Sequence, residues 1–282
     1  MEETVDADRV IFKPKNTKDQ MKFSIITICY NSENTIERTI KSVLSQTYKD
    51  YEYIIVDGAS NDSTINIIRK YEPLFNGRMK WKSEPDKGIY NAMNKGIQWA
   101  LGDILGIVNS DDWLECDALE RVSLALKVNN NDMSALYCGG INFHLTNGEV
   151  KKWPVNIKAL HRDAKMYLVS GVRHPGLFVP KEIYDKVGVF NEEMKLSADA
   201  DFMLRCYYNG LVFFDINAIV SNMTEGGIST KDSPKTTKIF QKDRKILLKS
   251  FGKSGIPYLW LYFTWDMRRN LKRIAKKLKI YK

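Results

Sequence analysis

The chain is poor in the residues that staple or metallate small proteins. Its 282 residues include four cysteines and three histidines. Cys29, Cys116, Cys138 and Cys206 are widely scattered and form no CxxC pair. His144, His161 and His174 do not stand at zinc spacing from them. A disulfide framework and a zinc module are excluded, and reduced, buried thiols in a cytosolic compartment are expected. No apolar run approaches the roughly 20 residues that span a bilayer, which excludes a polytopic membrane protein. The opening Met-Glu-Glu-Thr-Val-Asp is polar and acidic, so no secretory leader is expected. No GxGxxG follows the first strand-like run and no lysine-bearing P-loop occurs. Dinucleotide and P-loop chemistry are therefore not expected.

What is present suits a folded protein with a full core: 44% hydrophobic and 27% charged residues. The charge is unevenly placed. Lys and Arg number 43 against 34 Asp and Glu, a net +9. From Lys235 onward the count is 15 against 2, which leaves 28 against 32 for the rest. A mildly acidic body thus carries a strongly basic tail, and such a tail points to an anionic partner. Within it, Ile256 to Trp265 is apolar and aromatic. Met267, Leu271, Ile274 and Leu278 then fall at helical spacing among Arg268, Arg269, Lys272, Arg273, Lys276, Lys277 and Lys279. This pattern fits an interfacial anchor on an anionic membrane surface. A terminal helix docked on its own domain, with a solvated basic face, is the competing reading. Nucleic acid is not the expected partner.

Residues 1–21 read as a loose arm. From Lys22, strand and helix signals alternate. Strands are expected over Phe23–Cys29, Tyr51–Val56, Met79–Lys82 and Asp103–Val108. Helices are expected from Asn31 or Ser32 to Gln46, from Asp62 or Ser63 to Tyr71, from Gly88 to Ala100, and from near Cys116 to Val128. The order implies a doubly wound α/β layer, whose ligands lie beyond the carboxyl ends of its strands. Those ends carry Ile28-Cys-Tyr-Asn31, Asp57-Gly-Ala-Ser60 and Asn109-Ser-Asp-Asp112.

Each of these segments admits two readings. The Asn109–Asp112 cluster suits a Mg²⁺ or Mn²⁺ ion bridging substrate phosphates, or a turn plus a helix cap. Asp57 suits a uracil imide N–H, or an Asp-Gly turn. Lys87, at the helix entrance near Gly88, suits a phosphate, or Asp86 is simply the cap. Asp199 and Asp201 open a further helix two residues apart, so one faces a cleft while the other caps, or both simply favour a helix N-terminus.

Taken together, Ser24-Ile-Ile-Thr-Ile-Cys-Tyr-Asn31, Ile55-Val-Asp-Gly-Ala-Ser-Asn-Asp-Ser63, Glu84-Pro-Asp-Lys-Gly-Ile-Tyr-Asn-Ala-Met-Asn-Lys-Gly96 and Asn109-Ser-Asp-Asp112 resemble, in order and spacing, the family 2 glycosyltransferases of the GT-A fold. The likeness runs from about Lys22 to Asp215 and is nearest to the bacterial branch that builds surface polysaccharides. It implies an α/β, GT-A-like, mostly parallel sheet flanked by helices, with the basic helical tail appended. The implied layout is a catalytic domain over 22–232 and a tail over 233–282. Residues 22–115 form the nucleotide-sugar half and 116–232 the acceptor half.

The resemblance also implies roles. Ile28 (through its backbone), Tyr30, Asp57, Lys87, Asn109 and Ser110 would hold the nucleotide of a UDP-sugar. Asp111 would bind Mn²⁺ or Mg²⁺, with Asn109 where many members have Asp. Asp199 would be the catalytic base, preceded here by Ala198 rather than Glu. Asp112, His174 and Asp201 would stand at or behind the acceptor, His174 on a strand beside the acceptor cleft. Glu225-Gly-Gly-Ile-Ser229 would form a late loop near the donor. The implied enzyme is an inverting transferase acting on a lipid-linked or saccharide acceptor, in the cytoplasm at the inner membrane face. A sugar nucleotidyltransferase and a non-enzymatic basic membrane-surface protein are the competing functions.

Overall fold

The computed structural model describes residues 21–227 and 233–253. The arm at residues 1–20 and the aromatic and amphipathic part of the tail lie outside them.

Four strands build the first half: β1 (Phe23–Cys29), β2 (Tyr51–Asp57), β3 (Met79–Ser83) and β4 (Ile104–Ile107). They alternate with α1 (Ile36–Leu44), α2 (Thr64–Tyr71) and α3 (Ile89–Trp99). All four pair in parallel, in the order β3-β2-β1-β4. Every residue of β1 and β2 is buried, as expected of strands covered on both faces. The two faces alternate in β1. Ile26 and Ile28 join one core with α3, while Phe23, Ile25 and Cys29 join the other with α1 and α2.

The second half continues the same sheet with mixed pairing. It adds β5 (Trp113–Leu114), β6 (Ala135–His144), β7 (Val150–Trp153), β8 (Leu177–Pro180) and β9 (Val212–Thr224). Helices α4 (Ala118–Val128), α5 (Ile157–Ala164), α6 (Lys181–Val187), α7 (Ala198–Tyr208) and α8 (Pro234–Ser250) pack around it. Strand β8 runs antiparallel to both β4 and β6. The sheet then passes through β6 to β9 and ends at β5, with β7 beside β6.

Two features bear on the sequence expectation. The start of the basic tail is α8, packed on the body. Thr236, Thr237, Asp243, Arg244, Leu247 and Leu248 are buried, and the last two enter the same core as Ile26. Arg244 donates to the backbone carbonyls of Met166 and Tyr167, and burial pushes its pKa down to about 10. Second, only Cys29, Cys138 and Cys206 are buried thiols, because Cys116 is exposed ahead of α4.

Candidate active site

The chain leaves β1 for β2 and β3 on one side and returns to place β4 on the other. The strand order therefore reverses between β1 and β4, where open α/β sheets form their ligand crevice. The loops after β1, β2 and β4 meet there through side-chain hydrogen bonds. Asn31 N–H donates to Ser60 Oγ at 2.8 Å, Asn61 N–H donates to Asn31 Oδ1 at 3.0 Å, and the Ser32 and Ser110 hydroxyls lie 2.8 Å apart. Asn31 and Ala59 adopt left-handed backbone, with φ of 49° and 63°. For Ala this costs free energy, and such strain gathers at functional loops.

Tyr30 is an exposed aromatic side chain at this edge. It flanks Gly58, where an added Cβ would lie 3.4 Å from the Tyr30 ring and 2.6 Å from Asp86 Oδ2. Ile28 is buried in β1. Asp57 is fully buried, with both carboxylate oxygens engaged. They accept from Ser60 N–H (2.9 Å), Ser60 Oγ (2.5 Å), Ser83 Oγ (2.6 Å) and Cys29 Sγ (3.4 Å). A carboxylate offers about four lone-pair sites, and here they are filled from within. Asp57 thus ties the loop after β2 to the end of β3. Burial, with Asp57 second, pushes the Cys29 thiol up, so it stays a thiol that can donate.

At the β3–α3 entrance, Asp86 Oδ1 accepts the Gly88 N–H at 2.7 Å, so the capping reading of Asp86 holds. The Lys87 side chain is exposed. Lys195 reaches in from the approach to α7 and donates to the Lys87 carbonyl at 3.1 Å.

The Asn109–Asp112 segment makes a turn but caps no helix; β5 intervenes before α4. Asp112 is buried and accepts from Thr224 N–H and Asn109 Nδ2, each at 3.2 Å. It thereby fastens the β4 loop to the end of β9. Burial, and then repulsion from Asp111, raise its pKa to about 7. Burial also raises that of Asp111. Arg38, stacked 3.8 Å over the Trp113 ring, donates to the Asp111 carbonyl at 2.7 Å. A Cβ on Gly227 would come within 3.4 Å of Asp111 Oδ2, so the backbone of the late loop lies close to that carboxylate.

This donor set suits a hard divalent cation. Its acceptors are oxygens, Asn109 Oδ1 is buried with no hydrogen-bond partner among the described residues, and burial makes an uncompensated Asp111 charge costly. Among the described residues no three His, Cys, Asp or Glu side chains gather to hold a metal by themselves. A cation here would complete its shell with water or phosphate oxygens, as Mg²⁺ commonly does.

Asp199 sits in the first turn of α7 and is half-buried. Tyr90 of α3 donates to its Oδ1 at 3.2 Å. Burial, and then the Asp199 charge, push the Tyr90 phenol well up, so it remains a donor. His174 lies within electrostatic reach of Asp199; burial pushes its pKa down while that charge pulls it up. His174 is in a 3₁₀ turn, His174–Gly176, and the strand begins only at Leu177. The turn packs closely on β6: a Cβ on Gly176 would meet the Gly139 carbonyl at 2.2 Å. Because β8 opposes β4, with Phe178 across from Gly106, this turn stands at the same sheet edge as Asn109–Asp112.

Asp201 is turned away from the crevice. It is buried and ion-paired with Arg205 at 2.8 Å, while Arg205 also donates to the carbonyls of Val187, Gly188 and Val189. Its other oxygen accepts from Ser250 of α8 at 3.4 Å. Reasoning from sequence missed Tyr90, Arg38, Thr224 and Asp243, whose partners lie tens of residues away. The only available signal for Asp243 was its standing as one of two acids in a basic tail.

The sequence model described as glycosyl transferase family 2 matches residues 24–188, more than half of the chain. The chain belongs to glycosyl transferase family 2. A similar protein is the "PGL/p-HBAD biosynthesis glycosyltransferase" of Mycobacterium bovis, 30% identical over 210 residues, covering 73% of this chain and 78% of that protein. The hyaluronan synthase of Pasteurella multocida is also 30% identical, over 83% of this chain but only 24% of its own length. Among solved structures, S. aureus TarS 1–349 in complex with UDP-GlcNAc superposes with a TM-score of 0.62 at 19% identity, covering 93% of this chain and 76% of that one. GalNAc-T7 with UDP, GalNAc and Mn²⁺ gives 0.61 at 16% identity, covering 83% and 48%. These likenesses establish the GT-A fold, and the family establishes a glycosyltransferase. Among the described residues no helix is long and apolar enough to cross a membrane.

Proposed function

We propose that the protein is an inverting glycosyltransferase that moves a sugar from UDP to a hydroxyl of a lipid-linked or polysaccharide acceptor in bacterial surface-glycan synthesis. The observation that carries this reading is the single sheet edge at which the loops of β1, β2 and β4 interlock, with Asp111 on one loop and Asp199 on the helix tied to α3 through Tyr90. The UDP and UDP-GlcNAc complexes of TarS support the choice of uridine nucleotide.

In this reading the Ile28 backbone, Tyr30, Asn109 and Ser110 line the nucleotide, and the exposed Lys87 meets its phosphates. Asp57 acts one step back, by holding Ser60 and Ser83 in place around the base. Asp111, with Asn109 beside it, would hold Mn²⁺ or Mg²⁺, whose charge when bound compensates the leaving diphosphate. Asp199 takes the proton from the acceptor hydroxyl as general base. Tyr90 fixes that carboxylate, and His174, kept neutral by burial, adds no competing cation. The hydroxyl oxygen attacks the anomeric carbon opposite the diphosphate, through an oxocarbenium-like transition state. One displacement inverts the configuration. The chain from α8 onward would hold the enzyme on the inner membrane face and raise the local concentration of a lipid-linked acceptor.

The test is calorimetric titration of the full chain with UDP, GDP and dTDP, with and without Mn²⁺. Metal-dependent UDP binding that is lost in Asp111→Ala is expected. Failure of all three nucleotides to bind would overturn the reading.

A further inference from the structure

A cavity of about 290 Å³ opens where β6 and β7 meet the turn leading into β8. Its polar side chains are Trp153, Asn156 and Arg173, beside the backbone of Gly139 and Gly171. All three present hydrogen-bond donors, and no acidic side chain lines the cavity. The acceptor oxygen of Asn156 is already used, taking the Ala159 N–H at 2.9 Å to start α5. Arg173 is exposed, and among the described residues its guanidinium has neither a hydrogen bond nor an ion pair. It is nevertheless held in place, 4.6 Å over the Trp153 ring, which in turn stacks on Phe143 at 4.3 Å and 10°. Holding a guanidinium on an aromatic face removes part of the entropy that a long side chain otherwise loses on binding. Directly after Arg173 comes His174, and Arg173 itself lies within electrostatic reach of Asp199. The cavity therefore adjoins the His174–Gly176 turn, at the sheet edge that also carries Asn109–Asp112.

We infer that this cavity is an acceptor subsite for an anionic group, a sugar carboxylate or a phosphate, that Arg173 binds through its guanidinium with Trp153 and Asn156 as further donors. The inference rests on the proposed role of Asp199 and deepens it by naming the acceptor class. A fixed, unpaired guanidinium favours a charged acceptor in two ways. A charge-assisted, two-pronged pair adds affinity for the anion. An uncharged acceptor leaves the guanidinium covered without compensation.

The test titrates the full chain, loaded with UDP and Mn²⁺ so that the donor site is filled, with methyl glucuronide, glucose 1-phosphate and methyl glucoside. The same three saccharides are also titrated without nucleotide. At least one charged saccharide should bind about tenfold or more tighter than the neutral one, as a hydrogen-bonded ion pair in a partly desolvated site allows. Arg173→Gln should abolish that advantage and Arg173→Lys should restore part of it. A preference for glucuronide identifies a uronate acceptor, and a preference for the phosphate identifies a phosphorylated one. If the three saccharides bind alike, if none binds, or if the advantage survives in Arg173→Gln at unchanged Tm, the subsite is refuted. UDP binding is read separately on the same samples. Its absence would overturn the transferase reading, while a charge preference seen without nucleotide would leave the anion site standing.

Discussion

The Asp243 carboxylate accepts the backbone N–H of Leu196 at 2.6 Å, and it also takes those of Lys195 and Ser197 at about 3.0 Å. Asp243 is fully buried on α8, and the segment it holds ends two residues before Asp199. The helix that opens the basic tail is thus part of the scaffold that holds the entry to α7.

Asp243→Asn replaces an acceptor by a group that brings its own N–H toward three others. Hydrogen bonds to a charged group contribute about 1.5–3 kcal/mol each, and an orphaned buried donor costs a similar amount. We expect the melting temperature to fall by several degrees or more, measured by calorimetry. Where the variant folds, UDP binding should persist while turnover falls, because the damage lies at the entry to α7 and not at the β1–β4 crevice. Unchanged stability would show that Asp243 does not hold this segment.

Asp199→Asn removes the proposed general base and leaves the Tyr90 contact possible. Loss of general-base catalysis costs about 10²- to 10⁴-fold in rate, so kcat for sugar transfer should fall in that range with UDP affinity unchanged. A variant within threefold of wild type would assign the proton transfer to another group.

Asp111→Ala and chelation of divalent ions should act alike and without additivity. Each should weaken UDP binding, and EDTA should weaken it no further in the variant. Two additive losses in the same titration would place the cation elsewhere.

His174 predicts a pH dependence of stability. Burial holds its folded pKa below the ordinary value of about 6.5, against the opposing pull of Asp199. As pH falls through about 6.5, the unfolded chain takes up a proton that the folded chain refuses. This contribution to stability is therefore complete above that value and is lost toward acid. Denaturant unfolding of wild type and His174→Gln between pH 7.5 and 5 should show a shallower acid loss in the variant. Parallel curves would mean that His174 titrates equally in both states.

Much of the first half was legible in the linear order of residues. The apolar runs of β1 and β2 mark strands covered on both faces, and Asn31, Ser60 and Asn109–Asp112 follow them at the edge where a parallel sheet binds its ligands. Polar turns after buried strands carry that information locally, so the segments holding Tyr30, Asn109 and Asp111 could be placed at this sheet edge by position alone. The basic tail was equally plain from composition.

Distance along the chain hid the rest. Asp57 and Asp111 are both strand-end aspartates. Only the packed structure distinguishes a carboxylate filled by Ser60, Ser83 and Cys29 from one left beside an unpaired Asn109 oxygen. Likewise Asp199 and Asp201 differ by two positions, yet one faces Tyr90 and the other is locked to Arg205. Sequence by itself determined which segments become strands and helices and which loops end up on the binding edge, because periodicity and turn chemistry are local. Only the tertiary structure decided how each acid is engaged: beside local contacts such as Asp201 with Arg205, it brings Ser83 to Asp57 and Tyr90 to Asp199 from 26 and 109 residues away, because the sheet sets distant segments side by side.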